Sequence, residues 1–433
     1  MRIVQISPGS GDNFYCENCL RDIALVREMR RLGHDVLMVP LYLPLHADKT
    51  EPVANAPIFF GGVNVYLQQK FSLFRRTPRW IDKLFDSRRL LEWAGRKAGM
   101  TNARDLGETT ISMLEGEHGR QVKELDRFVD WLQAEEGAPD VVCLSNALLG
   151  GLARRIKDRL NVPVVSLLQD EDGFLDGLTS PYAERAWDIV RVRARDINGF
   201  IAVSSYFAGA MKERLDVDDD RMHVVRMGLD LGAYTPDPTG PTTPTIGYLS
   251  RMCPERGLET LIDAFIRLKQ SDKLKSVRLR ISGGRSASDE PFVERMQSKL
   301  TTAGVRDDVE FLESFEREPR LEFLRSLSAL SVPERQPVAY GLYVLEALAM
   351  GVPVVEPAIG CFPETIKLTG GGVLYEPNTA EKLAETLAPL LLDRQAARKL
   401  GAEGRKGMAK SFNVEQTAAA MLGTFEQVAR QTK

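Results

Sequence analysis

The stretch PVAYGLYVLEALAMGVPVVEP, residues 337–357, holds a glycine turn, an apolar helix from Leu342 with one acid, Glu346, and a β-rich run. Outward from it the same alternation repeats. TIGYLS, ETLIDAFIRLKQ, SVRLRISGG, FVERMQSKLTTAG, DVEFLE, RLEFLRSL and ALSVP precede it, strand pattern by helix pattern. Earlier in the chain RIVQIS, CLRDIALVREMRRLG, HDVLMVP, DVVCLS, VPVVSLL, FIAVSS and HVVRM form a first such series. This is the pattern of βαβ units on parallel sheets with helices on both faces. Between the two series LDLGAYTPDPTGPTTP, rich in proline and threonine, reads as a linker. The expected class is α/β, with two Rossmann-like domains in tandem and a last helix, VEQTAAAMLGTFEQVARQ, beyond the second sheet.

The chain's 433 residues exceed what one core organises, in keeping with two domains and a ligand cleft between them. Hydrophobic content of 43%, charged content of 27% and a net charge of -3 exclude a polybasic nucleic-acid binder as the default. Met1 leads directly into RIVQIS without a signal pattern, and no run of apolar residues is long enough to span a bilayer. Five cysteines, few and odd in number, argue for a reducing compartment, so a cytoplasmic protein is expected. Cys16 and Cys19 form a C-x-x-C, but the four histidines show no metal spacing, so the pair reads as buried or regulatory thiols and no metal is expected. From Lys70 to Lys97, nine basic residues stand against three acids with aromatics interleaved. This reads as an inserted helical pair in preference to a peripheral membrane face, with nucleic-acid binding third.

Residues after strands come first as ligand contacts in such sheets. In SPGSGDNFYCENC, Gly9 and Gly11 permit close backbone approach before a helix N-terminus, which suits an anion or a structural turn equally. Arg251 and Arg256 in YLSRMCPERGLETLIDAF can straddle a diphosphate, or stand as solvated loop charges. Leu342 and Tyr343 open a helix whose first amides and dipole suit phosphate oxygens, and Glu346 at their flank suits a pair of vicinal hydroxyls. Phosphate plus diol describes a nucleotide.

In this order, the last two places resemble the donor half of a retaining family 4 glycosyltransferase of the GT-B type, among the group 1 glycosyl transferases. SRMCPERGLETLIDAF, LRISGG, DVEFLESF, LEALAMGVPVV and IGCFPETI carry the likeness, and in the first series LGHDVLMVP, DVVCLSNALLGGLARRIKDRLNVPVVSLL and FIAVSSYFAGAMKERL do so. The resemblance implies an acceptor domain over 1–235, a nucleotide-sugar donor domain over 245–409, the two facing across a cleft, and a helix over 410–433 packing back on the first domain. It implies transfer of a sugar to a hydroxyl acceptor with retention, without cofactor or dissociable metal. Arg251 and Arg256 take the diphosphate cations, Glu346 the ribose-binding glutamate of the E-x7-E motif, and the loop of Gly9 and Gly11 the glycine-rich turn. Two positions depart from the family: Val338 stands where its first motif glutamate is usual, and Gln169 where a histidine is usual. Glu334 or Asp170 is the expected substitute contact for sugar or acceptor. The alternative these departures favour is a non-catalytic GT-B scaffold that binds a nucleotide or partner.

Overall fold

A computed structural model describes residues 1–8, 17–41, 60, 103–135, 137–237, 239–312 and 316–432. Gly9, Gly11, Cys16 and the segment 70–97 lie outside the described residues, as does the Cys19 side chain. The chain forms two compact units, divided at Val225–Arg226.

In the first unit the described strands are β1 (Arg2–Ser7), β2 (Asp35–Pro40), β3 (Val141–Ser145), β4 (Val164–Leu168), β5 (Gly199–Ala202) and β6 (Met222–Val224). They pair in parallel in the order β2-β1-β3-β4-β5-β6. Every residue of β3, β4 and β5 is buried, as expected of a sheet covered on both faces. Ala418–Lys433 belongs to this unit. Asn198 donates to the Thr432 hydroxyl at 3.2 Å, and Gly199 leaves room for Val428, which a Cβ there would meet at 3.0 Å.

In the second unit β7 (Thr245–Leu249), β8 (Arg278–Ser282), β9 (Val309–Phe311), β10 (Ala329–Leu330), β11 (Val354–Pro357) and β12 (Gly372–Tyr375) run parallel in the order β12-β11-β10-β7-β8-β9. The order reverses between β7 and β10, because the chain leaves β7 toward β8 on one side and returns to β10 on the other. That reversal is a topological switch point, where loops diverge and leave a crevice. The two loops there are those that carry Arg251 with Arg256 and Glu334 with Val338. The helix Leu342–Ala349 follows the second loop and is buried along its whole length.

The linker-like stretch after Leu229 is docked, not extended. Leu229 N–H donates to Phe412 and Leu229 C=O accepts from Val414, each at 3.0 Å, which draws this stretch into the second unit. Among the described residues no helix is long and apolar enough to cross a membrane.

Candidate functional site

The loop after β7 is shaped around one side chain. Tyr248 is fully buried, and its hydroxyl lies 2.9 Å from the Arg251 carbonyl and 3.3 Å from that of Arg256. The backbone carbonyls of two arginines five residues apart are thus gathered at one hydroxyl. The turn then reverses at Gly257, whose φ of 68° and whose approach to Pro333 require glycine: a Cβ would stand 1.8 Å from the Pro333 carbonyl. The helix Leu258–Lys269 starts there.

Each arginine has an acidic partner in this unit. Arg251 meets Asp289 in a two-point contact, Nε to Oδ2 at 2.8 Å and Nη2 to Oδ1 at 3.0 Å, and also donates to Ser286 Oγ at 3.0 Å. Burial alone would raise the Asp289 pKa, but the bonds from Arg251 and Ser286 outweigh it and hold the carboxyl below its usual value. Arg256 donates to Glu334 Oε1 at 2.8 Å, and Tyr343 donates to the same oxygen at 2.9 Å. The structure therefore joins Arg256, Glu334 and Tyr343 in one cluster from three segments.

The helix Leu342–Ala349 begins after Gly341, whose φ of 70° reverses the chain. Its N-terminal end sits beside the cluster through Tyr343. Glu346, one turn further, is 1% exposed. Its Oε1 accepts from the Tyr234 hydroxyl at 2.7 Å and from Arg320 Nε at 3.1 Å. A carboxylate inside an apolar helix is tolerated because these donors replace its water. The Val338 carbonyl accepts from Cys361 N–H at 3.0 Å, and Gly360 lies against that residue's backbone so closely that a Cβ would stand 2.6 Å from Val338 N.

A cavity of about 440 Å³ opens beside the Pro254–Arg256 turn, lined in part by Gly257, Thr260, Arg335, Asn378 and Thr379. Neither Arg251 nor Glu346 lines it, and the acids Glu259 and Asp263 in its wall make it a poor seat for a diphosphate.

In the first unit the ends of β3 and β4 carry a buried polar chain. Ser145 donates to Asp22 Oδ2 and accepts from Gln169 Nε2 at 2.9 Å. The polarity is forced: a carboxylate only accepts, so the hydroxyl hydrogen points to Asp22, and the Gln169 amide must present its NH₂ to Ser145. Asp170 follows with φ 61° at the N-cap position of the short helix Glu171–Asp176, without a side-chain capping bond. Glu171 is buried, its Oε2 accepting the Gln169 N–H and its Oε1 without a partner. Burial, against the opposing backbone bonds, pushes its pKa up to about 8, so the carboxyl is largely neutral at pH 7. Sequence reasoning named Gln169 and Asp170 but missed Asp22, Ser145 and Glu171. The run of three acids in QDED directly after a strand was the available signal for Glu171.

Comparison with known proteins matches this architecture. Residues 24–228 match the family model "Glycosyl transferase 4-like domain", and residues 237–407 match "Glycosyl transferases group 1". Over 320 residues the chain is 27% identical to a D-inositol 3-phosphate glycosyltransferase of Xylanimonas cellulosilytica, covering 68% of this chain and 73% of that one. It is 28% identical over 216 residues to a GDP-mannose-dependent alpha-(1-6)-phosphatidylinositol monomannoside mannosyltransferase of Mycobacterium tuberculosis. That match covers 46% of this chain and spans about half of the mycobacterial protein, 54%. Among solved structures, sucrose-phosphate synthase of Thermosynechococcus elongatus superposes with a TM-score of 0.71 at 18% identity, over 99% of both chains. Anabaena HepE in complex with UDP and glucose superposes with a TM-score of 0.68 at 17% identity, over 98% of this chain and 99% of that one. With two six-stranded parallel sheets of this order and both family models in sequence, the chain belongs to the group 1 glycosyltransferases and has the GT-B type of fold.

Proposed function

We propose that the protein transfers a sugar from a nucleoside diphosphate sugar to a hydroxyl acceptor, with retention of configuration and without a metal ion. The observation that carries the reading is that Tyr248 gathers the backbones of Arg251 and Arg256 at the switch point of the second unit, with Arg256 joined through Glu334 to Tyr343 at the start of the helix Leu342–Ala349. Developing negative charge on a leaving diphosphate is the largest demand of such a transfer, and guanidinium groups with helix amides meet it. In this reading Arg251, Arg256 and the amides of Leu342 and Tyr343 take the diphosphate, Glu346 takes the ribose, and no cofactor is used. The first unit takes the acceptor, with Gln169 and Asp170 as its candidate contacts. The names of HepE's ligands and of the mycobacterial relative make UDP-glucose and GDP-mannose the first donors to test.

A second reading is a scaffold that binds a nucleotide without turnover. Val338 favours it: the residue is apolar, 6% exposed and packed under Gly360, where the family usually presents a carboxylate to the sugar. One experiment separates the two. Incubation with a panel of UDP-, GDP- and ADP-sugars, with and without EDTA, should release diphosphate from at least one donor at an EDTA-independent rate. With a competent acceptor, the product should keep the donor's anomeric configuration by NMR. Diphosphate binding with no release from any donor would favour the scaffold.

A further inference from the structure

Glu334 occupies an unusual place for an acid beside a diphosphate cation. It is 2% exposed, its Oε1 takes both Arg256 and the Tyr343 hydroxyl, and its backbone carbonyl is held by Asn378 Nδ2 at 2.8 Å. The carboxylate is therefore held by two donors and its backbone by a third. Directly below, the Glu356 carboxylate lies 3.2 and 3.3 Å from the Val332 N–H. Burial, reinforced by the nearby Glu334 charge, pushes Glu356 well up toward its neutral form. Of these two acids Glu334 is the one ion-paired with a cation, Arg256, at 2.8 Å.

A buried carboxylate is poorly screened, so its charge is felt by any anion that shares its arginine. We propose that Glu334 is an internal counter-ion that competes with the nucleoside diphosphate for Arg256, weakening product binding and so favouring release. This rests on the reading above that Arg256 contacts the diphosphate.

The test is calorimetric titration of UDP and GDP into the full-length protein. Glu334→Gln keeps an oxygen for Tyr343 and Arg256 and removes the charge, and it should bind about tenfold more tightly than the wild type. The gain should vanish in an Arg256→Ala background. Glu334→Asp, which draws the charge back by one methylene, should fall between wild type and amide, and it serves if the amide variant does not fold. Equal or weaker binding by Glu334→Gln and Glu334→Asp, with Arg256→Ala still weakening binding, would overturn the counter-ion role and leave the proposed site standing. Unchanged binding in Arg256→Ala would remove the site reading, and the counter-ion role with it.

Discussion

The Tyr234 hydroxyl donates to Glu346 Oε1 at 2.7 Å, across 112 residues of sequence. A residue of the proline-rich stretch thereby closes on the helix that carries the candidate ribose ligand, and Arg320 holds the same oxygen. Glu346 is consequently a structural group as well as a candidate binding group.

Removing its donors should be costly. Tyr234→Phe leaves a buried carboxylate short of one bond, and about 1–3 kcal/mol of stability should be lost. Glu346→Ala removes the carboxylate paired with the buried Arg320, so about 3–5 kcal/mol is expected. Urea unfolding followed by fluorescence measures both, and a Tyr234→Phe midpoint equal to that of the wild type would show that the bond contributes nothing.

The polypeptide reversal at Gly257 gives a second expectation. Gly257→Ala places a Cβ against the Pro333 carbonyl at a φ of 68°, so the turn must shift and Arg256 with it. The strain alone is worth about 1–3 kcal/mol. Lower stability together with weaker UDP or GDP binding should appear, and a variant with wild-type values of both would refute the packing described.

Glu171 sets a pH dependence. Burial pushes its carboxyl in the folded chain up to about 8, from an ordinary value of 4.5. The folded state therefore holds a proton that the unfolded state has lost between those values, so this group's contribution to stability falls as pH rises from about 4.5 to about 8. Glu171→Gln lacks this dependence. It should be the more stable protein at pH 8, with the advantage shrinking toward pH 5. A constant difference between the two proteins across that range would mean that Glu171 is not held neutral.

Much of this was legible in the sequence because fully buried parallel strands read as unbroken apolar runs between helix patterns. VVCLS, VVSLL and TIGYL are such runs, and the ladder places them at or beside the sheet centres. The edge strand Gly372–Tyr375 escaped notice because GVLY follows further glycines and is only partly buried, so it carries neither alternation nor a long apolar run. The helices Phe362–Thr369, Ala380–Leu392 and Arg394–Ser411 likewise have no place in the strand-and-helix series of the sequence analysis. At the site, residues directly after strands were identifiable by position, as Arg251, Arg256, Gln169 and Glu334 show. Their partners were not. Asp289 lies 38 residues from Arg251, Glu334 lies 78 from Arg256, and Arg320 lies 26 from Glu346, separations that only the folded sheet order brings to contact distance.

The measurement that tests the account most directly is the affinity of UDP and GDP for the wild type and for Arg251→Ala, by calorimetry in EDTA. Arg251 anchors to Asp289 and Ser286 at the switch point, so its guanidinium is a fixed charge for a diphosphate. The wild type should bind at least one of the two without metal. Arg251→Ala should lose a charge-assisted contact worth about 1.5–3 kcal/mol, roughly 10- to 150-fold in affinity. Equal affinities in the two proteins, or wild-type binding that appears only when a divalent metal is restored, would contradict the account.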